Sequence, residues 1–264
     1  MNTTKIGHLK IPSSSHSILF YENEEEKNGQ ILSFIKDGLD NGEAAIYISD
    51  RDDDRYQRLF GNFDIDIKSK GLRVVDVMDW YLDHGSLNGK KVVKKLNDAM
   101  HWANKSGFKK LRVTGGTAYF FENKMVDELM SYELSLPKRF SLPITAICQY
   151  KSGDVASHDE GTLLTDLLRV HGTIVTPNLV KEMNFQAYYL EAVEAALDTI
   201  FGETTRQALL YHINKKYALP KQDIPVRPLE FRRALESLLG PGGTLVDRAI
   251  QKQIYTKIGL RHNL

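Results

Sequence analysis

Cysteine is nearly missing from this chain: Cys148 is the only one in 264 residues. No intramolecular disulfide can form, which fits a reducing cytoplasm and equally a secreted protein without disulfides. Long apolar runs are missing too, and none approaches the ~20 residues that span a bilayer. The first ten residues are polar in character and lack the ~7–15 residue apolar stretch of a signal peptide. Charge of one sign is missing as well. The net charge is +1 at pH 7, so no strong field draws the whole molecule to nucleic acid or membrane. Basic residues modestly outnumber acidic ones from Phe185 onward, a faint match to an acidic partner. These absences lead to the expectation of a soluble, cytoplasmic protein that does not enter a membrane.

What is present is ordinary globular composition, 42% hydrophobic and 26% charged. The length accommodates a domain of ~180 residues and a smaller one. Through the first part, short continuously apolar segments alternate with helical periodicity. Strands are expected at 17–21 (SILFY), 44–49 (AAIYIS), 72–77 (LRVVDV), 110–114 (KLRVT), 144–150 (ITAICQY) and 173–175. Helices are expected at 29–41, 52–60, 88–106, 123–136 and 161–171, with Val92, Val93, Leu96, Met100 and Ala103 as the inner face of the third. Strands separated by helices imply βαβ units: a mostly parallel sheet with helices on both faces.

Pro177-Asn178 marks the change to a second pattern, helices without strands. Helices are expected at 184–201, 204–217, 228–239 and 245–258. In the first of these, Phe185, Tyr189, Val193, Leu197 and Ile200 fall on one face. Ala196-Leu197-x-x-Ile200-Phe201-Gly202 resembles Ala234-Leu235-x-x-Leu238-Leu239-Gly240, which reads as two αα-hairpins with glycine stops, or as chance. The division expected is therefore an α/β domain over 1–180 and a small all-α domain over 181–264.

In open parallel sheets, ligands bind at the carboxyl ends of strands. Those ends are Tyr21-Glu22, Ser49-Asp50, Met78-Asp79, Thr114-Gly115-Gly116 and Gln149-Tyr150. A nucleotide-gripping loop after the first strand would read G-x-x-x-x-G-K-[ST]. Here the segment is Tyr21-Glu-Asn-Glu-Glu-Glu-Lys-Asn-Gly-Gln30, with four carboxylates and a misplaced Lys27, and it would repel a triphosphate. The fourth strand ends Val113-Thr114-Gly115, without an acid for Mg²⁺. Glu24–Glu26 read as a dipole-matched helix start. Cys148 reads as a small buried hydrophobe, Glu133 as a surface carboxylate, and His171 as a helix-end imidazolium. His16 precedes the first strand. By type, Cys148, His16, His171 and Glu133 are metal ligands, but their wide spacing gives no positive signal for a metal site. No cofactor is expected.

The segment His16-Ser-Ile-Leu-Phe20-Tyr21-Glu22, with Phe34-x-x-x-Gly38-Leu-x-x-Gly42-Glu43-x-x-x-Tyr47-Ile48, resembles the MEDS sensory domain. The likeness continues through Leu111-Arg112-Val113-x-Gly115, Tyr132-Glu133, Cys148-Gln149-Tyr150 and His171, about 15–176 in all. It implies a KaiC/RecA-like three-layer fold with a degenerate P-loop, sensing small molecules. The family-typical polar positions are His16, Tyr21, Glu133, Cys148, Gln149, Tyr150 and His171. With the strand ends Glu22 and Thr114, these are the candidate ligand-binding residues. This chain departs from the family at His171-Gly172, where members commonly have His-Pro, and at Lys151, where an Asp is frequent. The tail resembles an archaeal output domain described from Nitrosopumilus. It does so through Leu210-Tyr211-His212, Tyr217, Phe231 and Ile254-Tyr255-x-x-Ile258-Gly259-Leu260, with the two glycine-stopped helices.

The expectation is a non-catalytic signal-sensing regulator. Its N-terminal domain takes an unknown small-molecule ligand, and its C-terminal helices relay to a protein partner or by homo-oligomerisation. Two alternatives stay open. One is a KaiC-like nucleotide binder. The other is a transcriptional regulator meeting DNA through a basic face of Arg232, Arg233, Arg248, Lys252 and Lys257.

Overall fold

The computed structural model describes residues 11–49, 55–158, 162–176 and 179–260. Asp50, Gly161 and the Pro177-Asn178 pair lie outside them. The described residues form two compact units, one of those before 159 with 166–182, the other of 162–165 with 183 onward.

The first unit is a seven-stranded sheet flanked by helices. Its strands are β1 (His16–Tyr21), β2 (Ala44–Ser49), β3 (Leu72–Asp76), β6 (Leu111–Gly116), β7 (Ile144–Lys151), β8 (Thr173–Thr176) and β9 (Leu179–Glu182). They run in the order β3-β2-β6-β7-β1-β8-β9. All neighbours are parallel except β8 and β9. A short hairpin, β4 (Leu82–Asp83) with β5 (Ser86–Leu87), stands apart. The helices are α1 (Glu24–Asp40), α2 (Arg55–Gly61), α3 (Val77–Tyr81), α4 (Gly89–Lys105), α5 (Ala118–Glu122), α6 (Val126–Glu133), α7 (Ser152–His158) and α8 (Leu163–Val170). The expected strands are present, because short apolar β-branched runs can satisfy their backbone only inside a sheet. The expected absence of strands beyond 178 is corrected: Leu179–Glu182 closes the sheet edge antiparallel to β8. Four residues are too few to announce themselves by alternation. Val93, expected inside, is 38% exposed; Val92 beside it takes the inward position.

Alternation along the strands sorts side chains between two faces. Leu19, Ile147, Val175, Ala45 and Tyr47 meet Ile31, Phe34 and Ile35 of α1 and Phe60 of α2 on one face. His16, Ile18 and Phe20, in register with Ala146, Cys148 and Tyr150, occupy the other.

Only Glu22 and Asn23 separate β1 from α1. Asn23 Oδ1 accepts from Glu26 N at 3.0 Å, and Glu26 Oε2 accepts from Glu22 N at 2.8 Å. This reciprocal cap uses amides that a phosphate-binding loop would offer its ligand. Lys27 is buried, with Nζ 2.7 Å from Glu24 Oε2.

The family-like Phe34…Gly38…Glu43 and Arg112 residues form one joint. Arg112 Nε donates to Glu43 Oε2 and Nη1 donates to Phe34 O, each at 2.6 Å. A Cβ on Gly38 would sit 2.5 Å from Arg112 Cδ, so the glycine makes room for the arginine.

The second unit holds α9 (Phe185–Phe201), α10 (Glu203–Tyr217), a 3₁₀ turn (Lys221–Val226), α11 (Pro228–Leu239) and α12 (Pro241–Lys257). α9 packs on α12 and α10, and α11 on α12. Gly202 (φ 78°) and Gly240 (φ 56°) turn the two helix–glycine–helix pairs. Tyr188, Tyr189, Val193 and Leu197 of α9 are buried, whereas Ile200 is half-exposed. Of the basic residues, Arg232 lies 3.3 Å from Asp247 and Lys257 lies 2.5 Å from Glu191. No helix among the described residues is long and apolar enough to cross a membrane.

Candidate functional site

Five of the nine candidate residues meet on one face of the sheet. Backbone hydrogen bonds set the first of them. His16 N donates to Lys138 O at 3.0 Å, and Gly172 N donates to His16 O at 2.7 Å. His16 and His171 are thereby tied together, with ring centroids 4.1 Å apart. The parallel register places Cys148 beside Ile18 and Tyr150 beside Phe20. Glu133, the last residue of α6, reaches in from above.

The carboxylate is the hub. Glu133 Oε1 accepts from Tyr150 Oη at 2.7 Å. Glu133 Oε2 lies 3.2 Å from His16 Nε2, 3.6 Å from His171 Nε2 and 4.0 Å from Cys148 Sγ. His16 Nε2 is also 3.4 Å from Cys148 Sγ. Glu133 is 1% exposed and both histidines 0%, so the surface-carboxylate reading of Glu133 is corrected. The helix expected at 123–136 is shorter, with α6 ending at Glu133, and what buries that side chain is the distant β1 and β7, which no local periodicity announces.

His171 Nδ1 lies 2.7 Å from Leu167 O. A carbonyl only accepts, so Nδ1 carries the proton and neutral His171 turns a bare lone pair at Nε2 toward Glu133. Burial, reinforced by His16 nearby, pushes His171 down to about 3. This corrects the helix-end imidazolium: desolvation outweighs the dipole of a short helix. Burial works to raise Glu133, yet hydrogen bonding from His16, the positive charge of the two imidazoles once acid protonates them, and the Tyr150 hydroxyl together hold it at about 2. Burial and the Glu133 charge push the Cys148 thiol up. The same two causes push up the Tyr150 phenol. The resting arrangement is a buried carboxylate among a thiol, a phenol and two imidazoles. Two ring nitrogens, His16 Nδ1 and His171 Nε2, have no hydrogen-bond partner among the described residues. Each such buried group costs about 1–3 kcal/mol.

Beside His16 and Cys148 lies a cavity of ≈ 20 Å³, lined also by Tyr81, Gly115, Tyr132 and Phe140, with room for roughly one water-sized group. A Cβ on Gly115 would come 2.6 Å from Tyr81 Oη. Tyr132 lines this cavity and also an outer groove with Leu87, Gly89, Glu128 and Ser135. Tyr81 was not legible in the sequence, because five-residue α3 gives no periodic signal.

Of the other candidates, Thr114 lines the same small cavity. Gln149 faces the opposite side, donating to Thr114 Oγ1 at 2.8 Å, while its backbone carbonyl accepts from Thr117 Oγ1 at 2.7 Å. Tyr21, buried, and Glu22, exposed, stand at the carboxyl end of β1, five and six residues along from His16. The cluster thus runs from the amino end of β1 at His16 through the middle of β7 at Cys148, and only Tyr150 stands toward a carboxyl end.

No curated protein sequence matches this chain. Among solved structures, a KaiC-like protein of the hyperthermophilic archaeon Pyrococcus horikoshii is similar, with 15% identity and a TM-score of 0.43. The match covers 62% of this chain and 73% of that one. A second Pyrococcus horikoshii protein matches with 6% identity and a TM-score of 0.43, over 66% of this chain and 89% of its own. The model of the MEDS family, the methanogen/methylotroph and DcmR sensory domain, matches residues 15–172. That span takes in every member of the buried cluster, and the chain belongs to the MEDS family.

Proposed function

We propose that this protein is a cytoplasmic, non-enzymatic signal sensor in which a small ligand is read at the His16–Glu133–Cys148–Tyr150–His171 cluster and the C-terminal helices pass the signal on. Family membership suggests the sensing role. The observation that carries the choice of site is the concentration of five polar side chains, all at most 8% exposed, in an apolar interior beside a small cavity. Buried polar groups with unmet hydrogen-bonding capacity are costly, and a site that binds something is where such cost is repeatedly found. The cavity's size argues for a ligand of very few heavy atoms, admitted past Tyr132.

A nucleotide is the poorer choice. The two-residue β1–α1 connection is already capped from within, and three glutamates occupy the first turn of α1. Relay through the helical unit is supported by its having its own core around α9.

The test uses the full chain and a panel of small alcohols, ketones and halogenated alkanes, with Mg-ATP as comparator. A panel compound is expected to raise Tm and to change amide exchange along α9. Micromolar Mg-ATP binding overturns the reading, as does unchanged exchange along α9 at saturating compound.

A further inference from the structure

We propose that His16, Glu133, Cys148 and His171 are the four ligands of one divalent transition-metal ion. The inference takes this cluster as the sensing site and names what is held there. The four residues are buried, and their ligand atoms all lie within 4.8 Å of one another. Four of the six separations are 3.2, 3.4, 3.6 and 4.0 Å, near the edges of a tetrahedron, and the widest of the six, within 4.8 Å, closes on a bound ion. For metal–ligand bonds of about 2.0–2.3 Å those edges are about 3.3–3.8 Å.

The donors decide the class of ion. Two imidazoles and a thiolate suit zinc and its first-row neighbours. Magnesium and calcium require oxygen donors. Charge points the same way. One thiolate and one carboxylate balance a 2+ ion while both imidazoles stay neutral, so the loaded site has no net charge in an interior that penalises one. On binding, the metal–sulfur bond replaces the Cys148 S–H bond, and that proton passes to solvent.

The surrounding hydrogen bonds are those of a ligand shell held in place. His171 donates its outer N–H to Leu167 O, which aims the Nε2 lone pair inward, the usual support of a metal-bound histidine. Tyr150 donates to the outer oxygen of Glu133 and leaves Oε2 facing the other three. His171 Nε2 and Glu133 Oε2 therefore confront each other as two acceptors at 3.6 Å. A cation between them resolves that confrontation and gives the unpartnered nitrogen its partner. The small cavity touches His16 and Cys148, so an added ligand there would meet the ion.

The full chain, dialysed against chelator and checked for native far-UV circular dichroism, is titrated with Zn²⁺ and with Co²⁺. One ion per chain is expected, and the Co²⁺ form should show thiolate-to-cobalt charge transfer. Cys148→Ser should abolish that band. Tyr150→Phe, which keeps every ligand, should weaken binding about 10–100-fold. A folded wild-type chain that binds neither ion overturns the inference. So does a Co²⁺ complex without the thiolate band whose affinity is unchanged in Cys148→Ser and His171→Gln. Response to small organic compounds without metal binding would leave the sensing reading standing and remove this one; metal binding without that response would do the reverse.

Discussion

His171 Nδ1 lies 2.7 Å from the carbonyl oxygen of Leu167, one helical turn earlier. That contact determines which ring nitrogen carries hydrogen and therefore what His171 presents to Glu133. A ring turned over would bring an N–H to the carboxylate and close the pair; the observed ring brings a lone pair. The chemistry of the cluster follows from this orientation.

The pH dependence has a definite sign. His171 falls from its ordinary 6.5 to about 3 on folding, and Glu133 from 4.5 to about 2. The unfolded chain therefore takes up protons first as pH drops. Each group contributes stability that is complete above its unfolded value and lost on acidification, His171 between 6.5 and about 3 and Glu133 between 4.5 and about 2. In chelator, urea midpoints should fall steadily below pH 6.5. A flat midpoint between pH 6.5 and 4 would contradict the buried neutral imidazole.

Removing the hub should be severe. Glu133→Ala takes the acceptor from Tyr150 and His16 inside the core, where breaking a buried pair costs about 3–5 kcal/mol. Glu133→Gln keeps an acceptor for Tyr150 and should cost clearly less. Urea unfolding of the two variants gives the comparison.

Gly172 should accept no larger residue. A Cβ there would sit 2.8 Å from Lys138 O, a backbone atom that cannot swing aside. Gly172→Ala should lose about 1–3 kcal/mol. Gly172→Pro should lose more, because it also removes the N–H donated to His16 O.

Tyr132 stands between the outer groove and the inner cavity. Tyr132→Ala should open Cys148, 8% exposed in the wild type, to thiol reagents at least roughly tenfold faster, equivalent to about 1.4 kcal/mol in the barrier. Tyr132→Phe keeps the ring and should label at the wild-type rate.

Arg112→Lys should cost about 1–3 kcal/mol, because one ammonium cannot serve both Glu43 Oε2 and Phe34 O in the fork geometry of the guanidinium. Thermal unfolding will show it, with the buried cluster unaffected. The Gly38 and Glu43 positions thus have a structural task here: they hold Arg112 between α1 and the sheet.

The layered α/β plan and the position of most elements were legible because they rest on short-range regularities. Apolar runs such as AAIYIS make buried strands, and Gly202 and Gly240 stop helices, whereas α1 starts at Glu24, five residues before the start expected from its apolar spacing, under an Asn23 cap that this spacing does not show. The absence of a G-x-x-x-x-G-K-[ST] motif after the first strand was legible for the same reason, since it is a property of ten consecutive residues. The weak local signals failed. Five-residue α3 and α5 and four-residue β9 draw their stability from the sheet they pack on and carry little periodicity of their own.

The sequence alone determined which side chains could serve as ligands and that the P-loop motif is missing after the first strand. Only the tertiary structure decided that His16, Glu133, Cys148 and His171, spread over more than half of the chain, converge on one point. Their convergence depends on β1 lying between β7 and β8 with Ile18 opposite Cys148. Shifting that register by one residue would turn Cys148 to the other face. Pairing between strands distant in the chain is settled by the burial of whole faces and by backbone hydrogen bonding, and no local stretch of residues contains that information.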